Sequence, residues 1–346
     1  MYPLIKKGIK AIAYSNYHIC ALTGFLWKNE RRALIPYAKK VSTITGESTG
    51  RTVIKMCWTS IATGCNFEEY YSLKFFYRSP ENQNTMLTRY INHVVVYRFN
   101  NYDSNIILNN KSIFNNRFAS YRNIKWIDLE ENEEQIRSFF EDIKTNDVIL
   151  KPKSGHSGFG VTIDNAWRIL SEENLSEWKM KYEGFICEER LHNCKEIDEL
   201  NSSSLNTIRA ITFSGNIVWA GIRVGRPGEI VDNISQGGSI CSIDVDSGKI
   251  NSEAHDKSGK EIQILKDRPI IGFQIPNWDA LRSMICQVSD SFPEMKFVAW
   301  DFALTDKGPV LIEGNNGVDN RISQVHVKPN ETGLRPRLFE MIVNSV

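Results

Sequence analysis

The sequence predicts an α+β protein with a mainly helical N-terminal region and two lobes built on antiparallel strand pairs. Residues 1–105 contain few glycines and carry aromatic residues at helical spacing, as in Phe67–Tyr77. Farther along the chain, strand-like runs alternate with amphipathic helices such as Glu130–Lys144, whose apolar residues share one face. Two long hairpins, over residues 205–225 and 297–315, then dominate the C-terminal half.

The N-terminal region carries no chemical motif of its own. In the predicted helix Phe67–Tyr77, Glu68 and Glu69 stand near the start, where the helix dipole favours acids, and the aromatic stripe indicates a core-facing side. The stretch Ile9–Trp27 is apolar and follows three lysines, but polar residues interrupt its centre. A buried or interfacial helix is therefore expected there, with membrane contact at most peripheral.

Composition excludes several classes of protein. The chain has 42 Lys and Arg against 41 Asp and Glu, a net charge of +1, which argues against nucleic acid as a partner. Its seven cysteines are odd in number and form no Cys-x-x-Cys pair, which indicates reduced thiols and a cytoplasmic protein. No run of about 18 apolar residues is present, so no spanning helix is expected.

A glycine-rich loop joins two predicted strands, Asp147–Lys151 and Val161–Ile163. Glycines allow backbone N–H groups to approach phosphate oxygens closely, and Lys151 at the loop entrance adds a positive charge. The spacing differs from both the Walker loop and the dinucleotide fingerprint. Phosphate binding and a plain flexible turn both remain open for this loop.

Two further features suit a nucleotide but have ordinary alternatives. The apolar strand that begins at Phe185 turns polar at Glu188 and Glu189, where a strand edge could hold an adenine ring or merely end in two solvated acids. Arg209 and Arg223 stand on the long strands of the 205–225 hairpin, where each pairs with a bound anion or a structural acid. The polar stretch 251–260 is expected to be a mobile lid or acceptor loop.

The last hairpin brings acids into apolar runs. If Leu304 and Val310 close its loop, Phe302 lies opposite Ile312, and Asp301 lies opposite Glu313 with Cβ atoms about 5 Å apart. Asn315, two residues after Glu313, shares that face. Two carboxylates and an amide suit Mg²⁺, which relieves the repulsion between them, whereas a hairpin with two exposed acids is the alternative.

Residues 105–330 resemble the ATP-grasp ligases, and more closely the sugar-transfer-associated branch found among capsule and O-antigen biosynthesis proteins. The motifs that carry the resemblance follow one another in order and spacing. They are Ser204–Arg209, Arg223–Gly225, Asp232-Asn233, Gly237-Gly238, Trp300-Asp301 and Pro309–Asn315.

The resemblance implies an ATP-grasp fold, in which two α+β lobes hold ATP between antiparallel sheets. The expected division is a helical domain over 1–105, a small lobe over 106–192 and a large lobe over 193–346. The cofactors it implies are ATP and Mg²⁺.

Site residues follow from the same resemblance. Those expected to bind the nucleotide are Lys111, Lys151, Lys153, Ser154, Gly155, Ser157, Gly158, Gly160, Glu188, Glu189, Leu191 and Asn206. Asp301, Glu313 and Asn315 match the magnesium ligands, and Arg209 and Arg223 match the catalytic arginines facing the transferred phosphoryl group. Lys153 is a rival to Lys151 for one nucleotide position, and the family pattern Lys-Pro favours Lys151.

The implied activity is ATP-dependent ligation of a carboxylate to an amine through an acyl-phosphate, on a sugar carboxylate or amino sugar of a surface polysaccharide. One substrate is expected to be a sugar or nucleotide-sugar. A kinase of the same fold and a nucleotide-binding scaffold of a glycan-assembly complex are the alternatives. One departure bears on catalysis: Ala299 occupies the place where many relatives carry an arginine, so Arg209 or Arg223 must supply that charge.

Overall fold

The computed structural model describes residues 28–143, 146–155, 160–171, 175–229 and 232–345. The predicted helix Ile9–Trp27 and two residues of the glycine-rich loop, Ser157 and Gly158, lie outside the described residues. None of the helices in these ranges combines the length and apolarity that a bilayer span requires.

Helices and strands alternate along the described chain after a helical beginning. The helices are α1 (Lys28–Thr45), α2 (Thr49–Thr63), α3 (Phe67–Ser72), α4 (Pro80–Gln83), α5 (Arg89–Phe99), α6 (Asn105–Asn109), α7 (Lys111–Arg117), α8 (Glu133–Ile143), α9 (Ala166–Leu170), α10 (Leu175–Lys181), α11 (Lys195–Asp198), α12 (Trp278–Asp290) and α13 (Arg335–Asn344). The strands are β1 (Trp126–Asp128), β2 (Asp147–Pro152), β3 (Thr162–Asn165), β4 (Phe185–Glu189), β5 (Thr207–Phe213), β6 (Asn216–Val224), β7 (Ser239–Ile243), β8 (Ala254–His255), β9 (Glu261–Ile262), β10 (Phe297–Thr305) and β11 (Gly308–Asn315).

The strands form two antiparallel sheets. The smaller has four strands in the order β1-β4-β2-β3, and the larger has seven in the order β11-β10-β5-β6-β7-β8-β9. The predicted α+β class with hairpin-built lobes is confirmed by this topology.

The N-terminal helices have clear local causes. Helix α2 begins at Ser48, whose Oγ accepts from the backbone N–H of Arg51, and ends at Gly64, whose φ of 76° suits glycine. Helix α3 begins with a capping box: the Asn66 side chain accepts from the Glu69 N–H, and the Glu69 carboxylate accepts from the Asn66 N–H. Asn320, after β11, also donates to Glu69 at 2.6 Å, which ties these helices to the large sheet.

Alternation along β10 divides the core around the large sheet into two layers. Trp300 and Phe302 point to the face covered by α12, whereas Phe297 and Ala299 point to the face covered by the N-terminal helices. The small lobe has its own core, in which α8 packs on β2 and β4.

These cores do not follow the expected domain division. The described part of the helical region, from residue 28 onward, shares one core with a face of the large sheet. Leu108, Phe114 and Phe118 pack against the large sheet, although the sequence grouped them with the small lobe. The small-lobe core instead begins at Leu129.

The expected mobile loop at 251–260 is largely ordered, which corrects the sequence interpretation. It contains β8, in which His255 pairs with Ile240 of β7. Ser252, Ala254 and His255 are buried. The polar residues of this stretch belong to a short strand and to the turn at Asp256. The Asp256 side chain accepts a hydrogen bond from the backbone N–H of Ser258.

Candidate active site

The hairpin of β10 and β11 places Asp301 opposite Glu313, and this part of the predicted register is confirmed. The rest was wrong by one residue: Leu304 pairs with Pro309, and Phe302 pairs with Leu311. A β-bulge between Asp301 and Phe302 accommodates Ile312 as an extra residue and restores the predicted pairing. The two acids therefore meet because the bulge compensates for a tighter turn.

Asp301 is fully buried and is held by two arginines. Arg209 binds it with two parallel bonds, Nε to Oδ1 at 2.8 Å and Nη2 to Oδ2 at 2.7 Å. Nη2 of Arg223 lies 3.2 Å from Oδ2. Burial by itself raises the pKa of Asp301, but Arg209 and then Arg223 outweigh burial and lower the pKa to about 2. Asp301 is therefore ionised throughout the neutral range.

The pKa of Glu313 is shifted in the opposite direction from that of Asp301. Burial raises the pKa of Glu313, and the negative charge of Asp301 raises it further. Asn315 Nδ2 donates to Glu313 Oε1 at 3.2 Å and to Asp301 Oδ2 at 3.4 Å, so the three side chains converge. This repulsion between carboxylates is what a divalent cation would relieve.

The donor set fits a hard cation with few protein ligands. The described residues include no group of three or more acidic, histidine or cysteine side chains suited to a metal. The two carboxylates and the Asn315 carboxamide are side chains whose oxygens can bind Mg²⁺, an ion that keeps several waters or phosphate oxygens in its shell.

Arg209 and Arg223 converge on the acids from neighbouring strands. Arg209 lies directly opposite Asp301 on β5, so Glu313, Asp301 and Arg209 form one row across three strands. Arg223 is oriented by Thr207, whose Oγ1 accepts from Nε at 3.0 Å and Nη2 at 2.7 Å, and by Asp232, 3.4 Å from Nε. The salt bridges that the sequence left open are thus present.

A cleft lies between the two lobes and is lined by residues of both. Apolar side chains from both lobes contribute to its walls: Ile149, Val161, Ile163, Leu191 and Ile312. Its polar lining includes Lys151, Glu188, Glu189, Asp198 and Ser204. The lining therefore combines apolar side chains with a larger number of polar and charged ones.

Glu188 is the centre of a buried network that the sequence did not reveal. Its Oε1 accepts from Arg122 Nη2 at 2.7 Å and from Asn115 Nδ2 at 3.0 Å, and its Oε2 accepts from Lys151 Nζ at 2.6 Å. Burial raises its pKa, but Lys151 and Arg122 lower the pKa to about 2. Glu188, expected as an adenine neighbour, lines the cleft and also fixes the position of Lys151.

Arg122 is a residue that sequence reasoning missed. Besides Glu188, its Nη1 donates to the carbonyls of Leu311 and Ile312 at the bulge of β11. It therefore joins β4 to β11, the strand that carries Glu313. A lone arginine between two helical stretches gave no signal, because its partners are distant in sequence.

The three candidate lysines differ in their surroundings. Lys151 extends from β2 to Glu188 and lines the cleft. The Nζ of Lys111 lies 3.4 Å from the Gly155 carbonyl in the glycine-rich loop, and burial lowers its pKa. Lys153 points elsewhere, with its Nζ 2.8 Å from Asp128 and 2.7 Å from Glu130. This arrangement favours Lys151 over Lys153 beside a nucleotide.

Asn206 is placed differently from its expected role. Its Nδ2 donates to the Asn201 carbonyl at 2.7 Å, and its Oδ1 accepts from Ser204 Oγ at 2.9 Å and from the Gly225 N–H at 3.3 Å. Asn206 is 1% exposed and does not contribute to the described cleft lining, so it orders the loop before β5. Glu189 and Leu191 do line the cleft.

The structure describes the glycine-rich loop only on either side of residues 156–159. Ser154, Gly155 and Gly160 flank the gap at 156–159, and the backbone N–H of Lys111 donates to the Lys153 carbonyl at 2.9 Å. Gly155 and Gly160 have φ of 149° and 76°, conformations that favour glycine.

Replacing Glu188 with glutamine is expected to change the pH dependence of stability. Because the folded pKa of about 2 lies below the ordinary 4.5, the ionised group stabilises the fold above pH 4.5, by roughly 3 kcal/mol. That contribution is lost as the pH falls toward 2. Denaturant unfolding at a series of pH values should show the gap between wild type and Glu188→Gln closing in this window.

The exposed Glu183→Gln, just before the same strand, is the matched control and should show little gap at any pH. A wild-type to Glu188→Gln gap that stays constant from pH 7 down to the acid limit would contradict the ion-pair account of this network.

The chain is similar to the ATP-grasp ligase PsnB complexed with minimal precursor, at 13% identity and a TM-score of 0.44. That match covers 71% of this chain and 64% of the PsnB chain, less than two thirds of its length. No curated protein matches the chain.

Two other solved structures are similar over most of the chain. D-alanine–D-alanine ligase from Bacillus anthracis has 15% identity and a TM-score of 0.40, covering 73% of this chain and 74% of that chain. The D-cycloserine synthetase DcsG has 8% identity and a TM-score of 0.39, covering 68% and 70%.

The two antiparallel sheets and the cleft between the lobes are consistent with an ATP-grasp fold. The family model for sugar-transfer associated ATP-grasp proteins matches residues 90–342, and the chain belongs to this family. The resemblance read from the sequence is thereby confirmed.

Proposed function

We propose that the protein is an ATP-dependent ligase that joins a carboxylate to an amine, with a sugar carboxylate or an amino sugar as one substrate. The observation that carries the proposal is the row of Glu313, Asp301 and Arg209 across three strands. Acids and a guanidinium in one row can hold a divalent cation and a phosphoryl group together. The family assignment supports the sugar, since the model is associated with sugar transfer.

The residues present fit the implied cofactors. Asp301, Glu313 and Asn315 would hold Mg²⁺, and the apolar walls at Ile149, Leu191 and Ile312 would hold an adenine ring. When bound, Mg²⁺ would supply positive charge to the phosphate oxygens.

The lysines would bind the phosphates from the small-lobe side. Glu188 holds the Lys151 ammonium at the cleft, so this charge is preorganised and loses little side-chain entropy on binding. Lys111, next to the glycine-rich loop, is the second cation. Phosphoryl transfer depends on such positioning and charge more than on covalent help.

The proposed reaction has two steps, and each forms one bond and breaks another. A carboxylate oxygen of the first substrate attacks the γ-phosphorus of ATP and ADP leaves, giving an acyl-phosphate. The amine of the second substrate then attacks the carbonyl carbon, the carbon–oxygen bond to phosphate breaks, and the amine loses a proton. Arg209 and Arg223, which both contact Asp301, would stabilise the developing oxyanion.

In this proposal, Arg209 supplies the positive charge that many relatives carry at the position of Ala299. Ala299 is fully buried in the core shared with the N-terminal helices, which leaves no exposed position for a longer side chain. Arg209, on the neighbouring strand and opposite Asp301, brings a guanidinium to the same acid. The charge is supplied from β5 instead of β10.

The test is an ADP-release assay with the full chain, ATP, Mg²⁺, a panel of uronic acids and a panel of amines, followed by product mass. The expected product is an amide with the mass of acid plus amine minus water and no phosphate. A product that retains a phosphoryl group would identify a kinase. Nucleotide binding without turnover on any acid would favour the scaffold alternative.

A further inference from the structure

The near balance of charge over the whole chain conceals a strong asymmetry. Residues 1–63 contain ten Lys and Arg against two Asp and Glu, a net charge of +8. The remaining residues contain 32 Lys and Arg against 39 Asp and Glu, a net charge of −7. An N-terminal segment this basic indicates a negatively charged partner.

The basic segment includes the antiparallel pair of helices α1 and α2, which are joined by residues 46–48. One side of this pair packs into the core through Ala38, Val41 and Met56. The other side faces solvent and carries large apolar side chains where charged ones are usual: Ile35, Ile44, Ile54, Trp58 and Ile61. Trp58 and Ile54 are 73% and 71% exposed.

Basic residues accompany these apolar side chains. Arg32, Lys39, Lys40, Arg51 and Lys55 are exposed on the same two helices. From residue 32 to residue 63, Glu47 is the only acid, and it lies 2.5 Å from Lys55. A helix surface with tryptophan and isoleucine between lysines and arginines, and almost no acids, is the composition of an interfacial membrane helix.

We propose that this α1–α2 face binds the surface of an anionic phospholipid bilayer. Positive charges would attract the lipid phosphates, and Trp58 and its isoleucine neighbours would insert among the headgroups. Nucleic acid would satisfy the charge but would leave the apolar stripe exposed. A second copy of the chain would cover the apolar stripe but would bring like charges together.

The test measures partition of the full chain onto phosphatidylcholine vesicles with and without phosphatidylglycerol, by flotation at physiological salt. The chain should bind only the vesicles that contain phosphatidylglycerol. Lys39→Gln with Arg51→Gln should lower the partition constant roughly 25-fold, about fivefold for each charge. Ile54→Ser with Trp58→Ser should lower it more than about tenfold, through lost apolar burial.

Matched controls separate this surface from general charge and stickiness. Lys249→Gln with Lys266→Gln removes two exposed lysines of the large lobe, and Tyr97→Ser with Tyr102→Ser removes two tyrosines that are 90% and 84% exposed. Both controls should bind vesicles as wild type does. Unchanged thermal unfolding of each variant would show that folding is intact.

Three results would overturn the proposal: no binding to either vesicle, equal losses in the control variants, or binding to a single-stranded RNA but not to vesicles. Dimerisation abolished by Trp58→Ser, with no vesicle binding, would assign the face to a second copy. The measurement needs no nucleotide and no turnover, so it succeeds or fails independently of the ligase proposal.

Discussion

Glu313→Gln is expected to abolish most nucleotide turnover while leaving the fold intact. Glutamine keeps the shape and can accept from Asn315, but it removes a negative charge and a strong oxygen donor from the cation site. Losing several kcal/mol of charge stabilisation in the transition state corresponds to roughly a hundred- to thousandfold lower kcat. Stability should change little, because burial and Asp301 already disfavour the ionised form of Glu313.

The measurement is ADP release across a range of Mg²⁺ concentrations, with the thermal midpoint recorded for each variant. Asp306→Asn, an exposed acid in the turn of the same hairpin, is the matched control and should behave as wild type. Wild-type turnover in Glu313→Gln at low Mg²⁺ would exclude this hairpin as the metal site.

Asp301 is a poorer choice for this test. Its removal would leave the buried guanidinium of Arg223 and the partly buried one of Arg209 without their shared acid. Breaking a buried ion pair in this way costs about 3–5 kcal/mol, so lost activity would not be separable from lost structure.

Lys151→Met is expected to weaken ATP binding by roughly ten- to a hundredfold. The substitution removes a preorganised cation from the cleft, and a hydrogen bond to a charged group contributes about 1.5–3 kcal/mol. Glu188 retains Arg122 and Asn115 as partners, so the small lobe should remain folded. Isothermal titration with ATP or a non-hydrolysable analogue measures the change.

Lys153→Met is the matched control because the two lysines lie two residues apart on the same segment. Its ammonium is held by Asp128 and Glu130, so ATP affinity should stay within about twofold of wild type. If Lys153→Met weakened binding while Lys151→Met did not, the assignment of the two lysines would be reversed.

The final hairpin illustrates how far sequence reasoning reaches. Alternation of apolar residues and the interruption by Asp301 and Glu313 were enough to predict that the two acids face each other. The bulge at Ile312 was not predictable, because a bulge leaves no mark in the apolar pattern. The predicted pairing was right at the acids and wrong from Phe302, the next residue toward the turn.

The distribution of charge, by contrast, was missed when only the total composition was considered. The composition suggested a nearly neutral protein, and the argument against nucleic acid as a partner rested on that total. The excess of basic residues before residue 63 was visible in the sequence. The structure added which residues of α1 and α2 are buried and which are exposed. Lys39, Arg51 and Trp58 can be recognised as parts of one surface only because both helices pack on the same core.

The sequence by itself determined the fold class, the family and the pairing of Asp301 with Glu313 in the last hairpin. These depend on local periodicity and on the order of motifs, which a linear string preserves. Only the tertiary structure decided that Arg122 joins Glu188, that Arg209 holds Asp301, and that Lys153 turns away. Arg122 and Glu188 are 66 residues apart, and Arg209 and Asp301 are 92 apart. Pairings over such distances are fixed by packing, which no short stretch of sequence encodes.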